Sequence, residues 1–207
     1  MSKFLVCIML FLFSNVLYAA EAQQVTIAGY INSGKVKPHV TIIEYADYQC
    51  PFCVSLSNEV EPLIRKEYVA TGKVDLVYKN FQFLGKESID AAVAAECAKE
   101  QGQFWPFHDA LYRAKYIDYA NGGGENDGFY NVKLFDKIAQ QLNLNKVAFD
   151  TCYANTAIFS RIQNETNNAM ESGVAATPTI YINDKLISQP DYSSLRTAIE
   201  AELNGST

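Results

Sequence analysis

The feature that most restricts the fold is a short apolar run at residues 40–45, Val-Thr-Ile-Ile-Glu-Tyr, four residues ahead of Cys50-Pro51-Phe52-Cys53. A β-branched run of this length reads as a strand buried on both faces. Beyond the cysteines, Cys53, Leu56, Val60, Leu63, Ile64 and Tyr68 recur at helical spacing, which predicts a helix to about residue 67. Pro51 suits its first turn, where a missing N–H is no loss. Thr71-Gly72 closes the helix and residues 74–78 read as a second strand. Strand, helix, strand in this order predicts a βαβ unit with a parallel pair.

The remainder fits around that unit. Residues 23–38 are a polar approach to the first strand, and residues 87–173 are helical in character. Five helices are predicted there, marked by Ile89, Val93 and Cys97; by Phe104 to Leu111; by Leu134, Phe135, Ile138, Ala139 and Leu142; by Phe149, Cys152 and Tyr153; and by Ile158, Ile162 and Met170. Residues 121–128, Asn-Gly-Gly-Gly-Glu-Asn-Asp-Gly, read as a flexible surface loop whose acidic residues lack calcium-loop spacing. Residues 179–182 and 185–188 flank Asn183-Asp184 as a hairpin, and a last helix begins near Pro190. The order is βαβ, a helical block, then ββα. The flanking halves must pair in one sheet, so the expected fold is α/β, with a first part at 23–86, an inserted helical domain at 87–173 and a second part at 174–207.

The amino terminus has a separate fate. Lys3 precedes an apolar run at 4–17 and then Ala19-Ala20-Glu21-Ala22, the layout of a secretory signal peptide over residues 1–22. Cleavage after Ala19 competes with cleavage after Ala22. The run of about 14 residues is short of the roughly 20 that span a bilayer, which argues against an uncleaved anchor. Cys7 leaves with the signal, so four cysteines remain: Cys50, Cys53, Cys97 and Cys152. Export permits disulfides, and four cysteines allow three connectivities. The net charge of −6 gives no electrostatic footprint for nucleic acid.

A C-x-x-C at the start of a helix has specific chemistry. Unpaired N–H groups and the helix dipole stabilise a thiolate at Cys50, predicted to be the exposed attacking sulfur, with Cys53 shielded one turn in. Two other readings compete. Half a zinc site needs two more ligands, and Cys97, Cys152, His39 and His108 offer no second pair. A purely structural disulfide closing so short a loop is a poor staple. Glu44 interrupts the apolar strand, and a buried carboxyl there could exchange a proton with Cys53; the alternative is a strand-end glutamate reaching solvent. Residues 173–179, Gly-Val-Ala-Ala-Thr-Pro-Thr, precede the terminal hairpin. With this fold, a cis Thr177–Pro178 bond beside the cysteines is expected, leaving the Thr177 backbone free to pair with a substrate strand. His108, in an aromatic helical segment, is expected to be structural.

These residues resemble the DsbA-like thiol:disulfide interchange proteins of the thioredoxin superfamily. The matching stretches are residues 44–53, Ala94-Ala95-Glu96-Cys97-Ala98, residues 101–109, Phe149-Asp150-Thr151-Cys152 and residues 173–179. The resemblance implies a thioredoxin-like fold with a helical insertion, Cys50 as nucleophile, Cys53 as its partner and a cis-proline loop at Pro178. It also implies that Cys97 and Cys152 form a second, structural disulfide, with two buried free thiols as the alternative. Two departures stand out. Phe52 replaces the histidine of the best-known strong oxidants, which predicts a less oxidising pair, and Pro106 sits inside the aromatic block.

The expected function is therefore an exported oxidase that donates the Cys50–Cys53 disulfide to reduced secreted proteins and is restored by a membrane-bound reoxidase. It needs no metal or organic cofactor. The resemblance implies a periplasmic location, and the short segment at residues 23–38 argues for a monomer and against an isomerase with an added dimerisation module. The rivals are a reductase or isomerase using the same cysteines, and a non-catalytic chaperone or binding module.

Overall fold

A computed structural model describes residues 29–31, by their backbone, and 40–205. Residues 1–22, expected to be a signal peptide, and with them Cys7, lie outside the described residues. The strands are β1 (Gly29–Ile31), β2 (Val40–Ala46), β3 (Val74–Asn80), β4 (Thr179–Ile182) and β5 (Lys185–Ile187). They form one sheet in the order β1-β3-β2-β4-β5. β2 and β3 are parallel, as the connecting helix dictates, and the remaining pairs are antiparallel. β1 pairs with β3 inside what the sequence reads as a plain polar approach. The β4–β5 turn places Asn183 at φ 52°, where its short polar side chain is tolerated. β2 alternates between buried and half-buried positions instead of being enclosed on both faces.

After β2 the chain enters one rod, α1, built of four consecutive pieces: Pro51–Ser55, Leu56–Val60, Glu61–Ile64 and Arg65–Val69. The second and fourth are π-turns. Pro62 has no N–H to give the Asn58 carbonyl, so the ladder widens ahead of it. Asn58 instead sends its side-chain amide to the Val54 carbonyl at 2.8 Å and to the Tyr112 carbonyl at 3.2 Å. The wider turns also break the simple periodicity. Leu63, expected on the inner face, is 42% exposed, whereas Leu56, Ile64 and Tyr68 are buried as expected.

Five helices lie between β3 and β4: α2 (Lys86–Lys99), α3 (Phe104–Ala120), α4 (Val132–Gln141), α5 (Lys146–Tyr153) and α6 (Thr156–Glu171). Asn131, Asn145 and Asn155 cap α4, α5 and α6 by accepting from N–H groups of their first turns. Pro106 falls in the first turn of α3, where it interrupts little. The C-terminal helix is α7 (Tyr192–Gly205). Among the described residues no helix is long and apolar enough to cross a membrane.

Two main apolar clusters result. One unites Ile42, Leu76, Ile180 and Ile182 of the sheet with Ile64 of α1 and Leu195 and Ile199 of α7. The other gathers α2 to α6 around Phe107, Leu111 and Ile162, and takes in Cys50 and Cys53 from the start of α1. The cysteine turn therefore sits where the helical block meets the sheet.

Candidate active site

β2 ends at Ala46, a turn closes with Cys50 N–H donating to the Asp47 carbonyl at 3.1 Å, and α1 begins at Pro51. Cys50 is the N-cap, with the free N–H groups of the first turn facing its sulfur. Cys50 and Cys53 are both free thiols. Cys53 is fully buried, and Cys50 is 5% exposed, less open than the sequence suggests. The cis-proline loop covers it: in its thiol form Cys50 Sγ donates to the Thr177 carbonyl at 3.3 Å. The Thr177–Pro178 bond is cis.

The two sulfurs differ electrostatically. A hydrogen bond from Cys53 lowers the Cys50 thiol to about 6, aided by the backbone N–H groups of Cys53 and Phe52 and opposed by burial. Burial pushes Cys53 well above the ordinary thiol value, and its bond to Cys50 adds to that. At neutral pH Cys50 is thus mostly thiolate and Cys53 a thiol. Phe52, between them, is 74% exposed and contributes no charge.

Glu44 does not reach solvent. It is 3% exposed, on the buried side of β2, paired in register with Tyr78 and Ile180. Burial raises its carboxyl far above the usual range. Cys50, Cys53, Glu44, Thr177 and Pro178 therefore meet at one place. Cys97 and Cys152 do not join them: they are bonded to each other, linking α2 to α5 with Cα atoms 5.6 Å apart. His108 is buried among Tyr48, Tyr78, Tyr112 and Trp105, with Nδ1 2.9 Å from Asp109 Oδ1.

Loop 121–128 departs from the sequence reading, because it clasps the cysteine turn. Asn126 N–H donates to Gln49 Oε1 at 2.7 Å, and Asn126 Nδ2 donates to the Leu84 carbonyl at 2.5 Å. Gln49 Nε2 reaches Ser88 Oγ at 2.9 Å, and the Tyr119 hydroxyl donates to the Gln49 carbonyl. Asp47 accepts from Ser88 Oγ and from the N–H groups of Gln49, Phe83 and Leu84. The buried Lys115 ties the loop down through the Gly124 carbonyl and Asp118. Sequence reasoning assigned no role to Asp47 or Gln49. Polar residues squeezed between a buried strand and a redox turn were the available signal.

Beside Cys50 runs an open groove of about 400 Å³, lined by Phe52, Leu56, Val60, Pro178, Gln189 and Pro190. Among the described residues no cluster of three metal-ligating side chains occurs.

Comparison with known proteins agrees with this geometry. The thioredoxin family model matches residues 26–201. Disulfide bond formation protein D of Bacillus subtilis is 30% identical over 192 residues, covering 90% of this chain and 82% of that protein. Oxidised BdbD from Bacillus subtilis superposes with a TM-score of 0.70 at 28% identity, covering 85% of this chain and 92% of that one. Alpha-DsbA1 of Wolbachia pipientis, at 22% identity, shares the fold with a TM-score of 0.71, over 86% of this chain and 91% of its own. The chain belongs to the thioredoxin family, and within it is a DsbA-like protein thiol–disulfide oxidoreductase.

Proposed function

We propose that this oxidoreductase works as an exported dithiol oxidase, donating its Cys50–Cys53 disulfide to reduced secreted proteins. The observation that carries this reading is the split between the sulfurs, Cys50 lowered to about 6 and Cys53 raised well above the ordinary thiol value. A substrate thiolate attacks Cys50 Sγ, the disulfide opens and Cys53 departs, giving a mixed disulfide at Cys50. A second substrate thiolate then attacks the substrate sulfur, and Cys50 leaves as a thiolate. Its low pKa makes it a good leaving group. Glu44 supplies the proton that Cys53 needs, and burial keeps that carboxyl protonated.

Pro178 lines the groove and Thr177, whose carbonyl meets Cys50 Sγ, precedes it, so an extended peptide can pair with the Thr177 backbone while its apolar side chains rest against Phe52 and Pro190. Cys97–Cys152 serves as a structural staple. The reduced enzyme is returned to its disulfide by a membrane-bound reoxidase. Residues 1–22 are a signal peptide, and the mature protein acts in the periplasm as a monomer, with 87–173 inserted between the halves of the thioredoxin-like domain.

The test is the Cys50–Cys53 reduction potential, measured against glutathione buffers on mature protein. A value near the roughly −120 mV of strong oxidants, or modestly below, supports donation. A value near about −270 mV, some 7 kcal/mol more reducing, reverses the assigned direction.

A further inference from the structure

The mechanism above uses one buried carboxyl, but two stand behind Cys53. Cys53, Ser57 and Glu61 follow one another along α1, and all three are buried, Glu61 at 5% exposure. Glu61 Oε1 accepts from Arg65 Nε at 3.2 Å and Nη2 at 2.8 Å. Arg65 in turn grips both Asp109 oxygens at 2.9 Å and lies 4.2 Å over the Trp105 ring. Glu61 Oε2 is buried without a hydrogen-bond partner among the described residues. A buried carboxylate oxygen left unpaired is expensive, so its retention requires a reason. Glu44 approaches the same space from β2. After burial, Glu61 is the strongest upward influence on Glu44, ahead of the opposing Arg65 and of Cys50.

The other polar groups around this space include three buried atoms that also lack a partner among the described residues, Tyr48 Oη, His108 Nε2 and Trp105 Nε1, and none of the three is a carboxyl. β3 presents Tyr78, whose hydroxyl lies 3.2 Å from that of Tyr112 on α3. α3 also brings His108 and Asp109, which bind each other, Asp109 being held by Arg65. α7 packs on the same rod, but its Glu200 accepts from the Tyr68 hydroxyl at 2.8 Å and its Arg196 lies beside Tyr68 and Tyr192. Arg65 is hydrogen-bonded to Glu61, and among the described residues Glu44 has no hydrogen-bonded cation of its own.

We propose that Glu61, clamped by Arg65, is a positioning residue that holds Glu44 in its protonated form beneath Cys53. The proposal rests on the dithiol-oxidase reading. When a substrate thiolate bonds to Cys50 Sγ, the Sγ–Sγ bond breaks and its electron pair goes to Cys53. The Glu44 proton moves to that sulfur, leaving a carboxylate. During reoxidation the Cys53 thiol attacks the mixed disulfide with the reoxidase and returns its proton to Glu44. Two carboxyls in one dry space cannot both ionise cheaply, and the arginine decides which one does. Arg65 is bound to Glu61, and Glu44 carries the proton.

The experiment uses the mature full-length protein and Glu61→Gln, whose amide keeps a hydrogen bond to Arg65 but has no charge. The pH dependence of peptide-dithiol oxidation is followed, together with oxidised-minus-reduced infrared spectra in which the protonated Glu44 band is identified by its loss in Glu44→Gln. The wild type is expected to show that band at neutral pH. In Glu61→Gln its titration and the rate profile should both move about one pH unit lower. In a Glu44→Gln background, Glu61→Gln should leave the profile unmoved. An unshifted profile, or an equal effect in the Glu44→Gln background, overturns the proposal. Absence of the Glu44 band from neutral wild-type protein overturns it without any Glu61 variant, so a misfolded variant leaves it open to refutation. If wild-type protein fails to oxidise the peptide at all, the oxidase reading itself falls instead.

Discussion

Acidification of the reduced protein gives the sharpest check on the sulfur asymmetry. Cys50 lies at about 6 in the folded reduced chain against 9.0 for an unperturbed thiol. The folded value is depressed, so the thiolate stabilises the fold fully above pH 9, and the gain disappears as pH falls through about 6. At pH 7 linkage puts the contribution at ~1.4 kcal/mol, and partial solvation of the sulfur reduces it to ~1 kcal/mol. By pH 9 it grows toward a ceiling of ~4 kcal/mol before screening.

The assay is urea unfolding of reduced protein and of Cys50→Ser at intervals between pH 5 and 9. Subtracting the two removes the titrations that do not involve Cys50, and making both measurements in a Glu44→Gln background removes that of Glu44, which Cys50 pushes up. Cys53 is raised by burial in both proteins, so the slope its unfolded thiol contributes near pH 9 is common to them. The difference should be small at pH 5 and rise steadily with pH, in step with thiolate absorbance. A flat difference, or one that falls with pH, refutes the claim that this fold stabilises the Cys50 thiolate. At pH 7, ~1 kcal/mol corresponds to about 20 mV in the potential of the pair. The thiolate therefore contributes a fraction of a strong oxidant's potential, as the absence of charge at Phe52 suggests.

Four further outcomes follow from particular contacts. Phe52→His changes an exposed side chain beside Cys50, so it should raise the reduction potential by tens of millivolts with little change in melting temperature, read by glutathione equilibration. Replacing both Cys97 and Cys152 by Ala opens a loop of sequence separation 55 and should cost roughly 4 kcal/mol in urea unfolding of oxidised protein. Gly85 has φ +122°, and an added Cβ would overlap the Asn126 side chain, so Gly85→Ala should destabilise by about 1–3 kcal/mol. Asn126→Ala removes the side-chain bond to the Leu84 carbonyl and should speed amide exchange in residues 47–50, detectable by mass spectrometry, while α7 is unaffected.

Much of this was legible because local patterns and tertiary demands agree. β2, β3 and the terminal hairpin announce themselves by composition, and the cysteine spacing marks the start of α1. Glu44 stood out because a carboxyl in an apolar strand has to be accounted for. What stayed hidden depends on contacts across the chain. β1 is three residues long and exists through its pairing with β3. Leu63 follows the helical period yet faces out, because Pro62 converts the turn before it into a π-turn. The glycine-rich loop has the composition of a mobile connector, and nothing local shows that Asn126 will bind Gln49 across 77 residues of sequence. Glu61 was missed for a related reason. Its distance of eight residues from Cys53 is a helical repeat, but a glutamate before a proline reads as an ordinary helix-surface residue until Arg65 and Glu44 converge on it.

The helical block can then be read through what the cysteine turn requires. A helix N-terminus that favours a thiolate must keep its N–H groups unpaired, so the turn ahead of it has to be held by something else. Here Asp47 and Gln49 do that work through Ser88 of α2, Tyr119 of α3 and Asn126 of the loop after it. β2 and the cis-proline loop supply Glu44 and Thr177 from the other side. The helical block is thus a second support for the segment leading into Cys50, and loosening it should alter the sulfur chemistry before it unfolds the sheet.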